Sequence, residues 1–206
     1  MMMDRYQQAR EYFKNEFSRL INAESYIMGI LDEFFNNNIQ NIAIDYNEAS
    51  YLYPFWENYP PEDRGRQPVG DQFPWIEVGE QVLPPKLNRF LSSKFWIRDC
   101  GLPAGPDQRI IISSKQLKDI LQITDSVWLF IDIKSVGPRD DAPHAVMSHN
   151  QISGNGSWMN LSDGLLNDRL IALGPRAQHD FWPALPPLYV LSDGTIIPVV
   201  HIVIKP

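Results

Sequence analysis

The stretch that most constrains this chain is Val127 to Lys134, which reads Val-Trp-Leu-Phe-Ile-Asp-Ile-Lys. A run this apolar, rich in β-branched and aromatic residues, suits a strand buried on both faces in the middle of a helix-covered sheet. Side chains alternate along a strand, so Asp132 and Lys134 share one face and Ile133 points to the other. Burying two charges without a purpose is costly. The end of this strand is therefore where chemistry is expected.

A second carboxylate lies upstream. Pro106-Asp107 directly precedes an expected strand, Arg109 to Ser113. A carboxylate at the start of one strand can meet Asp132 at the end of its antiparallel neighbour. Asp107, Asp132 and the backbone carbonyl of Ile133 would then form an all-oxygen site, which suits a hard cation such as Mg²⁺. Lys134 is the informative addition. A cation beside such a site can orient an attacking water and stabilise charge developing on a pentacovalent phosphorus, as phosphodiester hydrolysis requires. The pattern is Pro-Asp followed, with the two aspartates 25 positions apart, by Asp-x-Lys. On the residues alone a bland alternative stays open, because Asp-x-Lys often ends a strand with solvated charges and Pro-Asp is a routine turn.

The rest of the pattern supplies a setting for that strand. Tyr6, Ala9, Phe13, Phe17, Leu20 and Ile21 recur at spacings of three and four, which predicts an amphipathic helix. A second helix is expected over Tyr26 to Phe35, stopped by Asn36, Asn37 and Asn38, whose side chains compete for backbone hydrogen bonds. Tyr51 to Pro74, dense in aromatics, Pro and Gly, reads as loop. Trp75 to Val82 is helix-compatible, and Pro84-Pro85 should break or restart the helix before Lys86 to Leu91. Strands follow at Phe95 to Arg98, Arg109 to Ser113 and Val127 to Lys134, with a short helix over Lys115 to Leu121. A closing hairpin is predicted from Pro187 to Leu191 and Ile196 to Ile204, joined at Ser192-Asp193-Gly194-Thr195. Helices and then strands with helical insertions imply an α/β or α+β fold on a mixed sheet.

Bulk properties narrow the class further. A length of 206 residues fits one domain. Cys100 is the sole cysteine and the N-terminus lacks an apolar signal-like run, so a reducing, cytoplasmic setting is expected. No stretch approaches the ~20 apolar residues of a membrane span. The net charge of −7 does not by itself suggest a nucleic acid partner, but its distribution is uneven. Residues 45 to 80 are acidic, whereas 84 to 98 carry Lys86, Arg89, Lys94 and Arg98, a short basic strip compatible with a polyanion or with a solvated helix face. His144, His149, His179 and His201 show no metal-ligand spacing, so no zinc is assigned and they are read as solvated or core residues. Gly154-Asn-Gly-Ser157 fails the patterns of phosphate-cradling and serine-nucleophile loops.

Longer strings carry a resemblance. They are Asp45-Tyr-Asn-Glu-Ala, Pro54-Phe-Trp, Asn58-Tyr-Pro-Pro, Asp63-Arg-Gly, Gly70-Asp-Gln, Pro74-Trp-Ile-Glu-Val-Gly-Glu80 and Gly101-Leu-Pro-Ala-Gly-Pro-Asp107. They continue with Asp132-Ile-Lys-Ser-Val-Gly-Pro-Arg-Asp140, Asn150-Gln-Ile-Ser-Gly-Asn-Gly156 and Pro186-Pro-Leu-Tyr-Val-Leu-Ser-Asp-Gly-Thr195. From about Asp45 onward the chain resembles the BglI family of type II restriction endonucleases, within the PD-(D/E)XK nuclease superfamily; the first forty or so residues match it only in being helical. The resemblance implies an α/β fold, a restriction-endonuclease-like mixed central β-sheet flanked by helices, in a single nuclease domain over 1–206. Within it, 1–44 would form N-terminal helices and 45–206 the catalytic and DNA-binding region.

It also implies a homodimeric, Mg²⁺-dependent enzyme that cuts double-stranded DNA at GCC, five unspecified bases, GGC, leaves a 3′ overhang, and works beside a cognate DNA methyltransferase. Asp107 and Asp132 match the family's metal-binding carboxylates and Lys134 its catalytic lysine. Glu80, or with less support Glu77, could add an outer acidic ligand. Arg139 and Asp140 stand where they could reach guanine and cytosine edges, Asn150 opens a loop able to approach DNA, and Lys86 and Arg89 are candidate backbone contacts. The family enzyme continues beyond the point matching Pro206, where much of its base readout is expected. Besides an active restriction enzyme, the sequence therefore leaves open a truncated, inactive DNA-binding remnant and a nuclease of the same fold without sequence specificity.

Overall fold

In the computed structural model, the residues described are 2–58, 74–99, 107–134, 170–171, 180–181 and 188–205. Strand β3, Ser126–Ile133, is buried at all eight positions, as its composition demands. It lies at the centre of a five-stranded sheet, with two strands on either side. On one side it pairs antiparallel with β2, Gln108–Ser113, which pairs in turn with β1, Trp96–Asp99. On its other side it pairs parallel with β7, Ile196–Ile204, and β6, Leu188–Val190, closes that edge antiparallel. One parallel pairing among antiparallel ones makes the sheet mixed, as expected.

The strands sit within a residue or two of their predicted positions. The last hairpin turns where Asp-Gly requires it: Gly194 has φ +82°, Leu191 N–H donates to the Thr195 carbonyl at 2.8 Å, and the Asp193 carboxylate accepts from Thr195 N–H at 2.8 Å. A further small antiparallel pair joins β4, Leu170–Ile171, to β5, Asp180–Phe181.

The two faces of the sheet differ. Val127, Leu129, Ile131 and Ile133 of β3, with Val200, Ile202 and Ile204 of β7, belong to one large core beneath the helices. That core takes Phe13 from α1 (Met2–Asn15), Ile27, Leu31 and Phe34 from α2 (Phe17–Asn58), and Leu87 and Leu91 from α4 (Leu83–Leu91). Leu117 and Leu121 come from α5 (Lys115–Leu121), whose first turn is capped by the Ser114 hydroxyl accepting from Leu117 N–H at 3.1 Å. The opposite face carries a smaller cluster of Ile111, Trp128, Phe130 and Ile197. Asp132 and Lys134 lie on this second face by the strand's alternation.

The helices depart from expectation in one instructive way. The single helix over Tyr6 to Ile21 is divided at Glu16, and the second, expected to stop at Asn36, runs on to Asn58. Three asparagines cost at most ~0.7 kcal/mol each in a helix, whereas burying Phe34 or Ile42 contributes ~1.5–3 kcal/mol apiece. Asn38 Nδ2 donates to the helix's own Phe34 carbonyl at 2.8 Å, so the competing group is turned back onto the helix. The first part of the expected loop, Tyr51 to Asn58, is likewise helical, and 59–73 lie outside the described residues. Helix α2 also passes unbroken through the division expected between residues 44 and 45.

Beyond that gap, α3 (Pro74–Glu77) continues into a π-helical turn, Val78–Val82. Helix α4 then starts with Pro84 and Pro85 in its first turn, where a missing N–H removes no helical bond.

Because Leu129 is fully enclosed at the centre of the sheet, Leu129→Ala should lower unfolding free energy by ~2–5 kcal/mol. Ile39→Ala, on the exposed side of α2 at 55% exposure, should stay within ~0.5 kcal/mol. Urea denaturation of both variants checks this, and equal effects would contradict a β3-centred core.

Candidate active site

The site forms where β2 begins and β3 ends. Gln108 pairs with Ile131 in the antiparallel register, so one further step places Asp107 opposite Asp132. The backbone closes the arrangement: Ile133 N–H donates to Asp107 Oδ2 at 2.6 Å. A strand residue points its N–H and C=O to the same side, so the Ile133 carbonyl faces the Asp107 side of β3. Lys134 N–H donates in the opposite direction, to the Ile204 carbonyl of β7 at 2.8 Å. The chain is thereby tied on both sides at the point where it leaves the sheet.

Asp132 is 1% exposed and Lys134 20% exposed, with Nζ 2.8 Å from Asp132 Oδ2. Burial pushes the Asp132 carboxyl above the usual aspartate range; the Lys134 hydrogen bond and charge oppose that rise, and the Asp107 charge adds to it. Two carboxylates and a carbonyl thus converge on one sheet end beside one ammonium group. The Asp107, Asp132, Ile133 and Lys134 expected from sequence are brought together.

Glu80 is not brought to them. Among the described residues no three His, Cys, Asp or Glu side chains stand close enough to hold one metal ion, and Glu80 is an exposed residue of the π-helical turn. The Glu77 side chain, Arg139, Asp140 and Asn150 lie outside what is described. Lys86 forms an ion pair with Asp45 of α2, so its charge is engaged within the helical layer. Arg89 is exposed on the last turn of α4.

His201 is a neighbour whose role the sequence did not single out. Across the parallel β3–β7 register it faces Phe130, with ring centroids 6.5 Å apart. Burial, and then the charge of Lys134, push its pKa down to about 4, so the ring is neutral at pH 7. The signal available in sequence was alternation along β7, which sets Ile197, Val199, His201 and Val203 on one face.

Comparison with known proteins fits this geometry. The family model for restriction endonuclease BglI matches residues 1–206. The chain belongs to the BglI restriction endonuclease family. It is 47% identical over 204 residues to the type II restriction enzyme BglI of Bacillus subtilis, covering 98% of this chain and 68% of that protein. The crystal structure of the restriction endonuclease BglI bound to its DNA recognition sequence superposes with a TM-score of 0.75 at 46% identity, over 100% of this chain and 70% of that one. The BglI likeness therefore reaches back through α1 and the first half of α2, correcting the expectation that it starts near Asp45. The fold expected from the resemblance is the one observed.

Two measurements follow for this BglI-family site. Because burial disfavours the charged form of Asp132, Asp132→Asn should leave the metal-free melting temperature unchanged or raise it; a drop of several degrees would show that the charge stabilises the fold. For His201, the unfolded chain takes up a proton near pH 6.5 that the folded chain refuses until about pH 4. Its contribution to stability, on the order of 3 kcal/mol, is present above pH 6.5 and lost as pH falls toward 4. Between pH 6.5 and 4 the wild type should lose more stability than His201→Gln, measured by denaturation at each pH, and parallel curves would refute the assignment.

Proposed function

We propose that this chain is a type II restriction endonuclease that hydrolyses double-stranded DNA at GCC, five unspecified bases, GGC, with Mg²⁺ at Asp107, Asp132 and the Ile133 carbonyl. The observation that carries the reading is the meeting of both carboxylates with Lys134 at one strand end, in a chain 47% identical to BglI.

The donor set fits a hard cation. Its atoms are all oxygens, and a buried carboxylate whose ionisation is resisted by burial and by a second acid gains most from a bound positive charge. Bound there, Mg²⁺ supplies Lewis acidity and charge neutralisation at the phosphate. Asp107 and Asp132 would hold it against the end of the strand. Lys134, held beside Asp132 at 2.8 Å, would orient the attacking water and stabilise negative charge on the phosphoryl oxygens. One P–O bond forms to the water oxygen, which gives up a proton to solvent, one ester P–O bond breaks, and the departing oxygen takes a proton from solvent.

A homodimer would place one such site on each strand of a two-fold DNA sequence. Arg139, Asp140 and Asn150 follow the catalytic strand closely enough in sequence to serve as base or phosphate contacts, and a partner methyltransferase would protect the host's own sites.

The test is Mg²⁺-dependent cleavage of a plasmid carrying the interrupted palindrome, against the same plasmid without it. Cutting confined to the site and reduced ~10²–10³-fold in Asp132→Ala and Lys134→Ala supports the reading, a loss typical when a principal charge-stabilising group is removed. Site-independent cutting would indicate a nuclease without sequence specificity. Binding without cutting would indicate a DNA-binding remnant.

A further inference from the structure

The face that carries Asp132 also carries two arginines to which the catalytic reading gives no role. Residues paired across neighbouring strands share a face. Arg109 of β2 pairs with Phe130, two residues from Asp132 on β3, and Arg98 of β1 pairs with Ile111, two residues beyond Arg109. Lys134, Arg109 and Arg98 therefore step diagonally from the reacting end of β3 across β2 to the edge strand.

Strand spacings of ~4.8 Å and two-residue repeats of ~6.8 Å put Arg98 roughly 17 Å from Asp132. At 3.4 Å of rise per nucleotide, this is the length of about five nucleotides of one DNA strand. The line ends in an open groove of about 800 Å³ lined by Arg98, Lys115 and Lys118 together with Asp125, Asp193 and the 64% exposed Trp96. The other half of the same face is different in kind: Trp128 packs edge-on against Phe130 and Tyr189 at 5.0 and 4.1 Å, giving an apolar wall over β3, β6 and β7.

In a chain of net charge −7, this diagonal sets three cations in a row on one face, with the Asp193 carboxylate within reach of the Arg98 charge at its far end. An extended polyanion is the ligand that matches its length and its direction.

We propose that Arg109 and Arg98 are phosphate-binding residues that hold the backbone of the cut strand beside the scissile phosphate, with Lys115 and Lys118 continuing the track. The inference rests on the endonuclease reading above and deepens it. Arg109 and Arg98 position the strand and make no contact with the reacting atoms. They act on all sequences alike, because a phosphate contact carries no base information.

The test is the affinity of metal-free protein for two short duplexes, one with GCC, five bases, GGC and one with unrelated sequence, between ~50 and ~200 mM salt. Each of Arg109→Gln and Arg98→Gln should make the plot of log affinity against log salt shallower by about 0.9, weakening both duplexes by the same factor. Arg109→Lys and Arg98→Lys should restore the wild-type slope, which an indirect structural loss would not do; melting temperatures separate folding effects. An unchanged slope in both glutamine variants overturns the proposal, as does a loss confined to the palindromic duplex. If wild-type protein cuts the palindrome and the slopes do not move, this inference alone fails. If wild-type protein neither binds nor cuts DNA, the endonuclease reading fails and takes this one with it.

Discussion

The hydrogen bond from Ile133 N–H to the Asp107 carboxylate, 2.6 Å long, is the contact on which the site depends. Asp107 stands just outside β2 and is exposed, so the sheet ladder alone does not hold it. The Ile133 amide, just past the Gln108–Ile131 end of the described β2–β3 ladder, takes the carboxylate as its acceptor. A buried backbone donor left unpaired costs ~1–3 kcal/mol, and the same bond that avoids this cost fixes the distance between two acids 25 residues apart in sequence.

Burying the Asp132 carboxyl at a strand end is unfavourable in itself, the charge of the exposed Asp107 adds to the cost, and the raised Asp132 pKa is the physical trace of both. Lys134 offsets part of that cost at 2.8 Å, and a divalent cation would offset the rest. The neutral His201 on the adjacent strand fits the same balance, since a second positive charge beside Lys134 is resisted by burial and by the ammonium group together. The site thus depends on the large core on the opposite face, which immobilises β3 and lets a costly charge arrangement persist on this one.

How much of this was legible depended on whether neighbours in sequence or neighbours in space decided the outcome. The apolar run of β3, the Asp-Gly hairpin and helix α5 followed local rules and were found where those rules put them. Asn36 to Asn38 do not end α2, because the rule for asparagine is local while the burial of Phe34 and Ile42 and the packing of Phe34 against Phe90 are not. Lys86 belonged to a basic strip in sequence, yet its partner Asp45 lies 41 residues away on another helix, so its charge is paired within the protein. Arg98 belonged to that strip too, and only its place on the edge strand separates it from the helical residues beside it.

By itself the sequence determined that a buried strand ends in Asp132-Ile133-Lys134, that Asp107 heads another strand, and that the chain resembles the BglI family, because alternation, apolar composition and long shared strings are properties of the chain read in order. Only the tertiary structure decided that the two aspartates face each other, that His201 is neutral beside Lys134, and that Arg109 and Arg98 share the reacting face. Each of these depends on strand register and on how far a side chain is removed from water, and pairing between distant segments sets both.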